Sequence, residues 1–234
     1  MQRFALGIFF GMLALPASAA LVDPFQFKYS VIHNDDLLGI AEMRFQPLQN
    51  TLWQFNSKTT GTAGLAKIAG ANVSENSVLS MHGDRIDLNS NRLDTKVAWK
   101  TATKTVKLQP DGKSYLYTDS KGSKSVPYKP GIIDIHSLTI ALMADLAAGK
   151  GPNLVYATFN KGKVEPYTFK VIGKQSLDTA LGPLNTVRVD RIRQSSNGKS
   201  SHIYFAIDKK YAPVLIQELN TEGENIEMRI LSIN

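Results

Sequence analysis

A period of two runs through most of this chain, and it argues against helical bundles and alternating α/β folds. Phe25, Phe27, Tyr29 and Val31 alternate with Gln26, Lys28, Ser30 and Ile32, so a strand here has one apolar face and one mostly polar face. Asp35-Asp36 and Gly39 mark a turn, after which Ala41, Met43 and Phe45 alternate with Glu42 and Arg44. Trp53 and Phe55 continue the pattern. It returns at 85–88, 97–100, 106–108 and 115–117, and again at 154–159, 167–171, 187–192, 203–207, 214–219 and 226–231. Asn197-Gly198, between two such runs, is a hairpin signal because both residues tolerate positive φ; Asp111-Gly112 and Glu222-Gly223 are weaker versions. The expectation is an all-β, mainly antiparallel fold: a curved sheet, barrel or half-barrel of about a dozen strands. A hollow barrel and a packed sandwich have the same inward alternation, so both remain open here.

One segment breaks the period. Leu138, Leu142 and Leu146, with Ile140, Met143 and Ala147, recur at helical spacing, and Gly149 ends the run. This predicts a single helix near 137–148, capped at its start by Asp134 or Ser137. Gly61–Gly70 is rich in small residues and suits a short helical turn or a loop. Lys150-Gly151-Pro152 punctuates the chain without dividing it into domains.

The first residues belong to a different grammar. Arg3 is followed by an apolar or glycine run of twelve residues, Phe4 to Leu15, then Pro16 and Ala17-Ser18-Ala19. That is the layout of a secretory signal peptide, too short to cross a bilayer as a helix. Cleavage is expected after Ala19, leaving 20–234 as a single β-rich periplasmic domain. The chain has no cysteine, so no lipid-anchored lipoprotein and no disulfide framework is expected. A domain this long manages without them, burying roughly 70–75% of its unfolded surface. Past the leader no apolar run is long enough for a transmembrane helix.

Several landmarks then combine. Pro24-Phe25 opens a strand with Tyr29 and Gly39 behind it, and Thr60-Gly61-Thr62-Ala63-Gly64 follows the Trp53 strand. Asp134-x-x-Ser137 stands at the helix start. Leu181-Gly182-Pro183-Leu184-x-Thr186-Val187-Arg188-Val189 and Tyr211-Ala212-Pro213-Val214 follow in the last third. In order and spacing the chain resembles the uncharacterised periplasmic family called domain of unknown function 3108, over essentially the whole mature length. It departs from that pattern at Ala98, where an aspartate is frequent, and at Tyr204-Phe205-Ala206, where a tryptophan is usual. The resemblance implies an exported, β-rich bacterial protein and gives structural roles to Asp134, Ser137, Gly182, Pro183 and Pro213. It carries over no catalytic residue.

The chemistry that is missing narrows the function. Gly112-Lys113-Ser114 and Gly198-Lys199-Ser200 lack the upstream glycine of a phosphate-binding loop. There is no dinucleotide fingerprint, no nucleophile elbow and no zincin motif. His33, His82, His136 and His202 are too scattered for a local metal grip, so no metal and no cofactor are expected. His136-Ser137 are neighbours at a helix start and point in different directions, which favours capping over catalysis. Arg188, Asp190, Arg191 and Arg193 crowd one strand, read either as cross-strand ion pairs or as an inward Arg188 that binds an anion. The segment 92–129 holds nine Lys/Arg against three Asp, interleaved with Trp99, Tyr115, Tyr117 and Tyr128.

An exported chain without a recognition motif is not expected to bind nucleic acid. Anionic lipid or lipopolysaccharide suits the charge better, with Lys96, Lys100, Lys104, Lys107 and Arg188 as candidate contacts; a lysine-studded sheet edge is the plainer explanation. The leading expectation is a non-enzymatic periplasmic protein that binds a lipid, glycolipid or other amphipathic envelope component. An envelope structural protein that docks a protein partner is the alternative. A hydrolase is third, and would need distant carboxylates such as Asp87, Asp94 or Glu165 to converge with raised pKa values.

Overall fold

A computed structural model describes residues 21–49, 51–193 and 199–234. The expected leader and the expected Asn197-Gly198 hairpin lie outside them. The described residues form one sheet of fifteen strands. In chain order they are β1 Phe25–His33, β2 Asp36–Gln49, β3 Leu52–Gly61, β4 Asn72–His82, β5 Arg85–Val97, β6 Lys100–Leu108, β7 Ser114–Asp119, β8 Gly122–Pro127, β9 Ile133–Asp134, β10 Asn153–Asn160, β11 Lys163–Thr179, β12 Gly182–Ile192, β13 Ser200–Ala206, β14 Ala212–Leu219 and β15 Asn225–Ile233. A one-turn helix α1, Gly64–Ile68, sits between β3 and β4, and α2, Leu138–Ala147, lies between β9 and β10.

The spatial order is two meanders joined back to back, β8 through β1 and then β15 through β9. Every pairing is antiparallel except β9 with β10. The junction is β1 with β15, where Phe27 stands opposite Ile233 and Val31 opposite Met228. Tyr29 locks this junction: its buried hydroxyl donates to the Pro213 carbonyl at 2.8 Å, reaching across from β1 to β14. Tyr29→Phe leaves that hydrogen bond unmade and is expected to cost about 1–3 kcal/mol, read from urea unfolding. Gly39 serves the neighbouring pair, because a Cβ there would lie 2.1 Å from the Thr60 carbonyl oxygen.

The sheet curls until its two halves meet. Past β8 the chain crosses β5, where Leu88 N–H donates to the Ile132 carbonyl at 2.8 Å and Gly131 N–H to Asp87 at 2.5 Å. Tyr115 and Tyr117 of β7 pack on Phe159 of β10, with centroids 5.6 and 6.0 Å apart. At Gly162 a Cβ would strike Tyr117 and Lys124, so glycine lets this seam close. Among the described residues no strand ladder joins β8 to β9, so the curved sheet is a half-barrel.

The concavity is occupied. Leu138, Ile140, Ala141, Leu142, Met143, Ala144 and Leu146 of α2 are all buried, so the helix is enclosed nearly all round. Asp134 caps its start by accepting from the Ser137 N–H at 2.7 Å. Ser137 does not cap through its side chain: its hydroxyl donates to the same carboxylate at 3.0 Å and accepts no helix N–H. A second difference from the sequence reading concerns 97–100. Ala98 has a left-handed φ of 54°, so these residues turn between β5 and β6 instead of continuing as a strand.

Candidate functional site

Three places on the half-barrel gather chemistry. The first is a cleft of about 500 Å³ at the end where β1 begins and β15 finishes. Phe25 and Phe27 from β1, Ile233 from β15, Met143 and Ala147 from α2, and Tyr211 line it, with Leu21, Val22 and Pro24 beside them. Met143 and Ala147 are four residues apart and therefore share a helix face. The two phenylalanine rings stack with centroids 4.0 Å apart. Asp23, Asp208, Lys209 and Lys210 form a charged rim over this apolar wall. Lys210 donates to Asp23 at 2.6 Å, and among the described residues Lys209 has no ion pair. Lys210 and Tyr211 are consecutive left-handed non-glycine residues, with φ of 54° and 57°. Each costs about 1–2 kcal/mol, the kind of local strain that gathers at ligand clamps.

The second place is a basic pocket of about 530 Å³ at the opposite end of the strands. Lys104 of β6, Lys121 and Lys124 of the β7–β8 hairpin and Lys161 of the β10–β11 turn surround it, with Asp119 as the one acid. The Asp119 carboxyl accepts from the Lys121 N–H and from the Tyr117 hydroxyl, which hold it below the usual carboxylate range.

The third is a buried polar belt that fastens the 131–137 crossover to β4 and β5. Asn91 donates to Glu75 at 2.8 Å and to Ser77 at 3.0 Å. The His136 ring stacks on Phe55 at 3.9 Å, and its Nδ1 lies 4.0 Å from Glu75 Oε2. Among the described residues its Nε2 has no hydrogen-bond partner. Burial drives the His136 imidazole down to about 3. Burial, then the Asp134 charge, pushes the Glu75 carboxyl up to about 7 against the opposing Asn91 hydrogen bond. Burial also raises Asp134, although hydrogen bonds from Ser137, Ser77 and His136 pull it back.

The residues singled out from sequence disperse. Pairing of Asn91 with Val106 and Leu93 with Lys104 puts Lys100 and Lys104 on the concave face, and Lys96 and Lys107 on the convex one. Of these, only Lys104 lines the basic pocket, and Lys96 borders a separate shallow pocket on β4–β6. Arg188 is turned away from the buried Val187 and Val189 and holds Asp190 through two bonds of 2.7 and 2.8 Å, beside His202. The inward Arg188 is therefore corrected: its guanidinium is engaged with Asp190. Arg191 instead lies over the Tyr167 ring, 3.6 Å from its centre. Gly182 takes φ 90° in the β11–β12 turn, with Pro183 directly after it opposite Asp178.

The three carboxylates named for an acid–base site do not converge. Asp87 meets Arg85 and Gly131, Asp94 is lowered by Arg92, and Glu165 is lowered by Lys163. Glu75, which sequence reasoning passed over in a polar run, is the acid that meets Asp134. Among the described residues no group of three His, Asp or Glu could hold a metal, and no helix is long and apolar enough to cross a membrane.

No curated protein matches the chain. A β-barrel-like protein of domain of unknown function DUF1849 from Brucella abortus superposes with a TM-score of 0.58 at 10% identity, over 92% of this chain and 98% of that one. That likeness concerns the fold. The MucA/MucB complex of Pseudomonas aeruginosa matches at a TM-score of 0.32 and 10% identity, over 90% of this chain and 51% of that one. The family described as protein of unknown function (DUF3108) matches residues 28–229, and the chain belongs to that family.

Proposed function

We propose that the protein is an exported, non-enzymatic binding protein for a single-chain amphiphile of the bacterial envelope. The observation that carries this reading is the cleft between α2 and the start of β1. Its volume falls within the roughly 300–1,000 Å³ usual for small-ligand sites, and its wall is apolar with a few charged groups at the rim. An apolar chain would lie along Phe25, Phe27 and Met143, with an anionic head at Lys209. Because α2 fills the middle of the half-barrel, the cleft suits one chain and not a bulky multi-chain lipid.

The test is a titration with a fluorescent single-chain fatty acid. Saturable binding at one site is expected, and Met143→Trp, which fills the cleft, should weaken it by at least about ten-fold. Lack of saturation, or equal affinity in a folded Met143→Trp variant, would overturn the reading. The polar belt supports a structural role over catalysis, since Glu75, Asn91, Ser77, Asp134 and Ser137 are bonded to one another.

A further inference from the structure

The end of the sheet opposite the apolar cleft carries an exposed apolar tip that the amphiphile reading does not use. Trp99 in the β5–β6 turn is 88% exposed, and Leu65 and Ile68 of α1 are 81% and 83% exposed. So much exposure of three large apolar side chains at one place is unusual for a protein surface. Leu65 and Ile68 share a face of α1, three residues apart. The opposite side of this turn is packed: a Cβ on Gly61 would lie 2.5 Å from the Ala66 carbonyl oxygen.

The tip is also a built structure. Ala98 N–H donates to the Ala69 carbonyl at 2.6 Å, joining the β5–β6 turn to α1, and Gly61 N–H donates to Ala71 at 2.8 Å. Left-handed Gly64, Gly70 and Ala98 shape the two turns. It projects, too, because β6 runs from Lys100 to Thr105 before it first pairs with β7.

Charge selects the partner. The two turns, 61–71 and 95–101, contain Lys67, Lys96 and Lys100 and no acidic residue. Asp35 on the neighbouring β1–β2 turn faces Arg229 at 4.0 Å. We propose that this tip docks the protein on an anionic lipid surface, with Leu65, Ile68 and Trp99 entering the interface and the three lysines meeting headgroup phosphates. A projecting wedge suits a deformable surface better than the flat, complementary face of a protein partner. Tryptophan favours the headgroup level, and lysines beside it gain from the negative surface potential. The docking is independent of the cleft, since the tip and the cleft lie at opposite ends of the strands and share no residue.

The test is flotation of the mature protein with phosphatidylcholine vesicles, with and without phosphatidylglycerol, together with tryptophan emission. Flotation with the anionic vesicles alone is expected. A blue shift should accompany it from Trp99, since the other tryptophan, Trp53, is stacked on Phe45. The variant Leu65→Ser/Ile68→Ser/Trp99→Ser should keep its melting temperature and lose vesicle affinity by at least about ten-fold. Trp99→Phe should abolish the emission shift. Absence of flotation, equal flotation with neutral vesicles, or a triple variant that floats like the wild type would overturn the proposal. So would concentration-dependent dimerisation through the tip in place of vesicle binding.

Discussion

Leu142→Ala is expected to lower the stability of the protein by about 2–5 kcal/mol, a large share of the roughly 5–15 kcal/mol that holds a domain folded. Leu142 is completely buried on α2, inside the curve of the sheet. Removing most of its side chain leaves a void between helix and strands that a sheet tied by hydrogen bonds on both sides cannot collapse to fill. The same substitution at Leu65, where the side chain is almost fully exposed, should change stability by no more than about 0.5 kcal/mol. Urea unfolding of the two variants side by side checks the claim. Equal, small losses would mean that α2 does not fill the concavity.

The second large effect is on pH dependence, and it comes from the polar belt. The His136 imidazole lies at about 3 in the folded protein, below its ordinary value, so the native state binds fewer protons than the unfolded state between about pH 3 and 6.5. Stability contributed by His136 therefore rises with pH across that window, by up to about 4–5 kcal/mol. Glu75 acts in the opposite sense. Its carboxyl is raised from 4.5 to about 7, so its contribution is greatest below about pH 4.5 and is lost as pH climbs to 7. With nearly a quarter of that side chain exposed, the loss is about 2 kcal/mol. Asp134, also raised, adds to the fall.

Between about pH 4.5 and 6.5 the two contributions therefore oppose each other, His136 gaining as Glu75 loses. His136→Phe removes that gain and sacrifices no hydrogen bond at Nε2, which has none among the described residues. Relative to that variant, the wild type should gain stability steadily from about pH 3 to 6.5. Melting temperatures of both proteins across this range decide the matter, and parallel profiles would contradict it.

The strands were legible wherever one face is apolar. Phe25, Phe27, Tyr29 and Val31 alternate because that face of β1 packs inward, and their buried positions follow the alternation. The helix was legible for a related reason: apolar residues at nearly every position of 138–147 are what an enclosed helix requires. β4 left no such trace. Its first half, Asn72 to Ser77, has Val73 as its single apolar residue, since the inward Glu75 and Ser77 belong to a hydrogen-bonded belt. The apparent strand at 97–100 was a turn in which Val97 and Trp99 are exposed.

The sites depend on what the sequence cannot order. Pairing of β1 with β15 and the placement of α2 bring Phe25, Met143 and Ile233 to one cleft, although more than two hundred residues separate the first from the last. The lysine run was visible as a charge excess, but its division between convex and concave faces depends on strand register. Two consecutive left-handed residues at Lys210-Tyr211 have no glycine to announce them.

The most direct test of the amphiphile reading is mass spectrometry of a solvent extract from protein purified without detergent or refolding, alongside Met143→Trp treated identically. The account predicts one single-chain amphiphile with an acidic head, bound one to one in the wild type and absent from the variant. An empty, folded wild type, or the same lipid retained by Met143→Trp, would contradict it.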